Sequence, residues 1–80
     1  MTPENEAKLT NIFRTLFNNS SLQLTHDLSA QDVPGWDSLN HVNLIISIEN
    51  EFGIRFSNTE ISSLENVGQL MQLIDKKVDG

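Results

Sequence analysis

The segment SLNHVNLIISIENEF, Ser38–Phe52, limits the fold more than any other part of the chain. Leu39, Val42, Ile45, Ile46 and Phe52, joined by Leu44 or Ile48, leave little of a helical circumference polar. A helix this apolar is a central one, touching neighbours on more than one side. Its limits are written locally: PGWD halts the chain before Ser38, and Gly53 suits the left-handed residue that closes a helix.

Three further helices fit around it. Thr2 is placed as an N-cap and Pro3 as the first helical residue, and Leu9, Ile12, Phe13, Leu16 and Phe17 recur at helical spacing. NNSS (Asn18–Ser21) ends that helix. A long connection to Asp37 carries Leu22, Leu24, Leu28 and Val33, so it is expected to be pinned to the core, with a short turn of helix at most. After Gly53, Ile54–Phe56 reads as an extended crossing with no second strand to pair with. SNTE (Ser57–Glu60) is a capping box that opens a short third helix through Ile61. Asn66 and Gln69 repeat a weaker form of that signal before Val67, Leu70, Met71, Ile74 and Val78, with Lys76 and Lys77 at the negative end. The expectation is an all-α, small four-helix bundle of three longer helices plus one short helix, in a single domain over residues 1–80.

The chain has 80 residues and no cysteine, so packing alone must hold it. Its net charge is −6, and it falls wholly between Asp27 and Glu65, where seven carboxylates face one Arg55. Such a surface argues against nucleic acid and anionic lipid and favours basic patches on partner proteins. No apolar run approaches the roughly 18 residues of a membrane span, and MTPENEAK has no leader character, so a cytoplasmic monomer without membrane insertion is expected.

Catalysis and metal binding find little support. Ser38 and His41, three apart on one helix surface, make a superficial Ser-His-Asp set with the adjacent Asp37. A triad needs the carboxylate on the far side of the imidazole and an oxyanion hole before the serine, and the flanking WDSLN lacks a G-x-S-x-G elbow. His26 and His41 with scattered carboxylates give no metal-ligand spacing, and His41 reads as an exposed helix residue. The chain is expected not to be an enzyme.

Ser38 remains. A serine opening a helix ordinarily caps it, but Asp37 is the better cap here, which makes Ser38 the first helical residue and leaves its hydroxyl outward. A phosphate attached there would sit at the positive helix end, with the Asp37 carboxylate opposing it.

These residues carry a resemblance. GWDSLNHVNLIISIENEFGIRF is similar to the prosthetic-group helix of acyl carrier proteins with its D-S-L motif, and the short capped helix and LENVGQLMQLI follow in that family's order. The resemblance covers nearly the whole chain and is weakest in the first helix. It implies that Ser38 is the covalent attachment point of 4′-phosphopantetheine, taken from coenzyme A by a phosphopantetheinyl transferase, with Asp37 and Leu39 completing the cofactor-binding motif. It further implies tethering of acyl intermediates as thioesters for fatty-acid, polyketide or specialised lipid biosynthesis, and docking to acyl-loading and acyl-processing enzymes through basic patches. Leu39 is the implied partner contact, while Val42, Ile46, Ile54, Phe56 and Ile61 would line an interior seam for a short acyl chain. Trp36 is assigned to packing the long loop onto the central helix rather than to ligand stacking.

One departure stands out. Fatty-acid carriers of this family place acids after the serine, where this chain has Asn40, His41 and Asn43. That points to a specialised carrier rather than the housekeeping fatty-acid type. The alternatives are an aminoacyl or peptidyl carrier, against which Trp36–Asp37 leans, and an unmodified helical adaptor for basic protein partners.

Overall fold

The computed structural model describes residues 1–79. It contains α1 (Pro3–Leu16), α2 (Ser38–Phe52), α3 (Asn58–Ser63) and α4 (Val67–Asp79), with no strand among the described residues. The all-helical expectation is met, and each boundary has a local cause. Thr2 accepts the Asn5 amide at 3.2 Å and caps α1. Past its end, Asn18 takes φ +51°, a left-handed value that asparagine tolerates. Gly53, at φ +67°, closes α2 by donating to the Glu49 carbonyl. The Ser57–Glu60 capping box is complete, with reciprocal bonds of 3.1 and 2.8 Å.

The core is made by Leu9 and Phe13 of α1, Leu44, Ile45 and Ile48 of α2, Ile54 of the crossing, and Val67, Leu70, Met71 and Ile74 of α4. A side chain of this kind contributes about 1.5–3 kcal/mol when fully buried, which is how a chain without cysteine holds together. Leu44, Ile45 and Ile48 lie within one 100° arc of α2. That arc leaves Leu39, Val42 and Ile46 on the opposite side, exposed by 72%, 49% and 49%. The apolar circumference of α2 is therefore not all core, and only one side meets the bundle. Val78 likewise leaves the α4 stripe and is exposed.

The connection between α1 and α2 holds no helical turn. It runs through four hydrogen-bonded turns, closed by Leu22 to Asn19, Leu28 to Thr25, Asp32 to Ser29 and Trp36 to Val33. Val33 is buried, and Leu22, Leu24 and Leu28 pack against the core. Its middle is fastened to the start of α4, where the Val67 amide donates to the Leu28 carbonyl at 2.9 Å and the Gly68 amide to the His26 carbonyl at 2.8 Å. Those two otherwise unpaired helix-start donors thus find partners in the loop.

This close approach needs glycine. A Cβ on Gly68 would lie 2.8 Å from the His26 carbonyl oxygen and 3.1 Å from its Cβ. Gly68→Ala should therefore destabilise the fold, because overpacking at about 1–3 kcal/mol outweighs a helix-propensity gain of at most about 1 kcal/mol. Urea denaturation measures this, and an unchanged or raised midpoint would count against the loop–α4 account.

The helix α3 contributes no fully buried residue and is held at its edges. Glu60 pairs with Lys77 of α4 at 2.9 Å, and Lys77 lies 5.6 Å over the Phe56 ring. The Ser57 backbone amide, and then Lys77, hold the Glu60 carboxyl below its usual range. A depressed carboxyl stabilises the fold above its unfolded-state value and loses that contribution as pH falls through the folded-state one. Glutamine at this site keeps the cap but not the ion pair. The stability advantage of wild type over Glu60→Gln at neutral pH should therefore close on acidification below about 4.5. A gap that persists in acid would refute the assignment.

Candidate functional site

The site lies where α2 begins. Val33, Pro34, Gly35 and Trp36 form a turn, with Gly35 at φ +91°, a left-handed value that favours glycine. Asp37 follows in extended conformation, and its carboxylate accepts the Asn40 amide at 2.8 Å. Asp37 is thus the N-cap and Ser38 the first helical residue. Ser38 is exposed, and its hydroxyl makes no hydrogen bond among the described residues.

Asn40 locks this geometry from the other side. Its side-chain amide donates to the Gly35 carbonyl at 2.7 Å, while its oxygen accepts from Asn43 at 3.3 Å. An ionised aspartate has no proton to donate and could not close the first of these bonds. The amides that read as missing acids in the sequence are therefore donors that brace the turn carrying Ser38. Nothing in their spacing announced this, because the acceptor is a backbone carbonyl on the preceding loop.

His41 is half-buried rather than exposed. Its Nδ1 accepts the Trp36 indole N–H at 3.0 Å, and its Nε2 lies 3.1 Å from the Ile61 carbonyl of α3. An indole nitrogen only donates, so Nδ1 is bare and Nε2 carries the proton that reaches Ile61. One neutral imidazole therefore joins the loop, α2 and α3. The two rings lie nearly coplanar, 22° apart with centroids at 6.1 Å, as the in-plane bond requires, and Trp36 meets Phe13 edge-on at 5.4 Å and Phe17 at 5.9 Å. Its structural role is borne out, with α1 supplying more of the packing than α2.

Both ring nitrogens of His41 are engaged and Asp37 is occupied as a cap, so Ser38, His41 and Asp37 do not form a triad. Among the described residues no group of His, Asp and Glu could hold a metal ion. Beside Ser38 lies an open groove of about 460 Å³, bordered by Trp36, Asp37, His41, Ile61 and Leu64. The interior seam expected from Val42, Ile46, Ile54, Phe56 and Ile61 is not assembled: Val42 and Ile46 face outward, while Ile54 is buried and the other two are half-buried. The acidic stretch is also more engaged than its charge suggested. Asp32 accepts from Ser29, Asp37 caps α2, Glu49 accepts the Phe56 amide at 2.9 Å, and Glu60 serves the capping box and Lys77.

A small four-helix bundle that exposes an unbonded hydroxyl at the start of its central helix, beside a carboxylate and an imidazole that are both already engaged, is a protein acted upon rather than one that acts. The comparisons with known proteins agree. The chain is 32% identical over 56 residues to an acyl carrier protein of Thermotoga maritima, covering 70% of this chain and 69% of the relative. It is 33% identical over 51 residues to one of Saccharopolyspora erythraea, covering 64% and 54% respectively. The solution NMR structure of a holo acyl carrier protein from Geobacter metallireducens matches with a TM-score of 0.86 at 46% identity, over 92% of this chain and 85% of that one. No protein-family model matches the chain. The chain belongs to the acyl carrier protein family, whose members are carriers and not enzymes.

The clamp has a measurable consequence. His41→Ala leaves the Trp36 indole N–H and the Ile61 carbonyl without their partner, and should lower stability by roughly 1–3 kcal/mol. Fluorescence of Trp36, the single tryptophan, follows both denaturation and the loss of the imidazole that accepts its indole N–H. Unchanged stability and an unchanged emission spectrum would show that the bridge carries no weight.

Proposed function

We propose that this chain is a specialised acyl carrier whose Ser38 hydroxyl is esterified by 4′-phosphopantetheine from coenzyme A. The observation that supports it is the division of labour at the start of α2: Asp37 caps the helix, and Ser38 is left exposed and unbonded. When attached, the group supplies the thiol this cysteine-free chain lacks, and a thiol forms reactive acyl esters because its pKa, near 8.5, lies far below that of an alcohol.

The residues present fit such a group. Ser38 stands at the positive end of a fifteen-residue helix, where a phosphate is favoured. The nearby Asp37 carboxylate is turned onto the helix, where it accepts the Asn40 backbone amide. The groove bordered by Trp36, Ile61 and Leu64, with Asp37, His41, Ser62 and Glu65 on its polar edge, gives the hydroxyl open surroundings on the α3 side. Leu39, next to the serine and 72% exposed, completes the motif as the surface that an acting enzyme meets first. In this reading the partners are a phosphopantetheinyl transferase and the enzymes that load and process the acyl group, all in the cytoplasm. The chain works as one domain and as a monomer.

Asn40, His41 and Asn43 in place of acids support a specialised carrier, for polyketide, modified-lipid or amino-acid-derived acyl groups, over the housekeeping fatty-acid type. Each has a structural task that an acidic side chain would not perform here.

Intact mass after incubation with coenzyme A, magnesium and a broad-specificity phosphopantetheinyl transferase tests the proposal. Wild type should gain one phosphopantetheine and Ser38→Ala none. Since Ser38 is not the cap, that variant should stay folded, within about 1 kcal/mol of wild type. A folded wild type that gains no mass would sink the carrier reading and favour a protein-binding adaptor.

A further inference from the structure

We propose that the groove bordered by Arg55, Lys76 and Lys77 binds an aspartate- or glutamate-rich segment of a partner protein, which holds the carrier by the end of α2 opposite Ser38. The groove has a volume of about 420 Å³, with Ile54 and Leu73 as its apolar wall and Glu60 the one carboxylate on its border. Ser38 opens α2 and Gly53 closes it, so the fifteen residues of that helix, about 22 Å, lie between the two ends. A partner held here leaves the Ser38 hydroxyl uncovered. The proposal does not depend on what is attached to Ser38.

Charge identifies the occupant. The chain has five lysines and arginines against eleven acids, and three of the five meet at this groove. The other two are engaged elsewhere: Lys8 lies 4.0 Å from Glu4, and Arg14 donates to the Leu22 carbonyl at 2.8 Å. Lys77 is fixed by Glu60 at 2.9 Å and lies over the Phe56 ring. Arg55 and Lys76 are exposed and form no ion pair among the described residues. Three cations against Glu60 leave a local charge of +2 on a chain whose total is −6. The nearby acids do not cancel it. Glu49 accepts the Phe56 amide, Asp75 pairs with the amino terminus at 2.8 Å, and Asp79 does not border the groove. Arg55 is also carried on a fixed backbone, because the amides of Ile54 and Phe56 on either side of it both donate to Glu49.

Complementing a helix end accounts for Lys76 and Lys77, which lie in the last turn of α4, but Arg55 lies outside every helix. The helix ends also decide between occupants. The Gly53 cap of α2 and the last turn of α4 both border the groove. A compact anion such as phosphate, drawn in against the backbone, would face the negative ends of both helices. Carboxylates on a protein segment meet the cations farther out, at the tips of long side chains. Each exposed pair is weak, so several carboxylates must engage together, as an acidic segment provides.

The test follows the isotope-labelled full chain by NMR while a short peptide of alternating glutamate and glycine is added. Salt is held at about 100 mM, where charges more than about 10 Å away are screened. Amides of residues 53–56 and 73–77 should shift, with an affinity in the millimolar range, while those of residues 38–41 stay in place. Raising salt to about 500 mM should weaken binding by about threefold or more. Arg55→Gln combined with Lys76→Gln changes two exposed sites and leaves the Glu60–Lys77 pair intact. That variant should lose the shifts and otherwise keep the wild-type spectrum. No shifts in wild type, shifts centred on the Ser38 end, or a double variant that binds as wild type does would each overturn the proposal. Equal shifts from inorganic phosphate at the same concentration would make the groove a small-anion site, and would overturn it too. All of these outcomes leave the modification of Ser38 to its own test.

Discussion

A neutral imidazole on the second turn of α2 holds together the parts of this protein that helix packing does not reach. The segment before α2 and the short helix α3 are far apart in sequence, and neither has a large buried face of its own. His41 accepts from one through Trp36 and donates to the other through Ile61. Trp36 carries the connection onward to Phe13 and Phe17, so the start of α2 is tied to α1 by aromatic packing. Ser38 sits one turn before His41 on this braced framework. Its hydroxyl is exposed, but the backbone that carries it is held by Asp37, Asn40 and the ring of Trp36 together.

The same arrangement explains how a very apolar helix serves two masters. Hydrophobic burial is non-directional, so seven apolar residues in fifteen do not specify which of them meet the bundle. Geometry specifies it: α1 and α4 cover the arc of Leu44, Ile45 and Ile48, while Leu39, Val42 and Ile46 are left outward. Exposing three large apolar side chains in a row works against solubility, and a chain under no demand on that face would place polar residues there. The row itself carries no charge, and the −6 of the chain as a whole offsets that exposure by keeping molecules apart.

What was legible in the sequence follows the range of the interactions involved. Caps are local. Thr2, Asp37, Gly53 and the Ser57–Glu60 box all act within four residues, and each is found where its residue type places it. The first turn of α2 was readable for that reason, including the exposure of Ser38. Long-range features were not. The glycine at 68 looks like a weak helix residue until the His26 carbonyl is seen against it. The burial of His41 depends on a carbonyl twenty residues away. The outward turn of Val42 and Ile46 could not be read from a segment apolar on nearly every side, because periodicity carries orientation only when the polar face is distinct.

The amides at 40 and 43 show how one substitution can answer two demands at once. Seen as charge, they remove acidity from the face beside the serine. Seen as hydrogen-bonding groups, they supply donors: Asn43 to Asn40, and Asn40 to the Gly35 carbonyl. A carboxylate at position 40 would lose the donor and would place a second negative charge within a turn of Asp37. The brace on the turn and the neutrality of the face beside Ser38 therefore have one cause. A carrier whose partners recognised acids on this face would have to hold the Gly35 turn by some other means, and in this chain that means is already committed to asparagine.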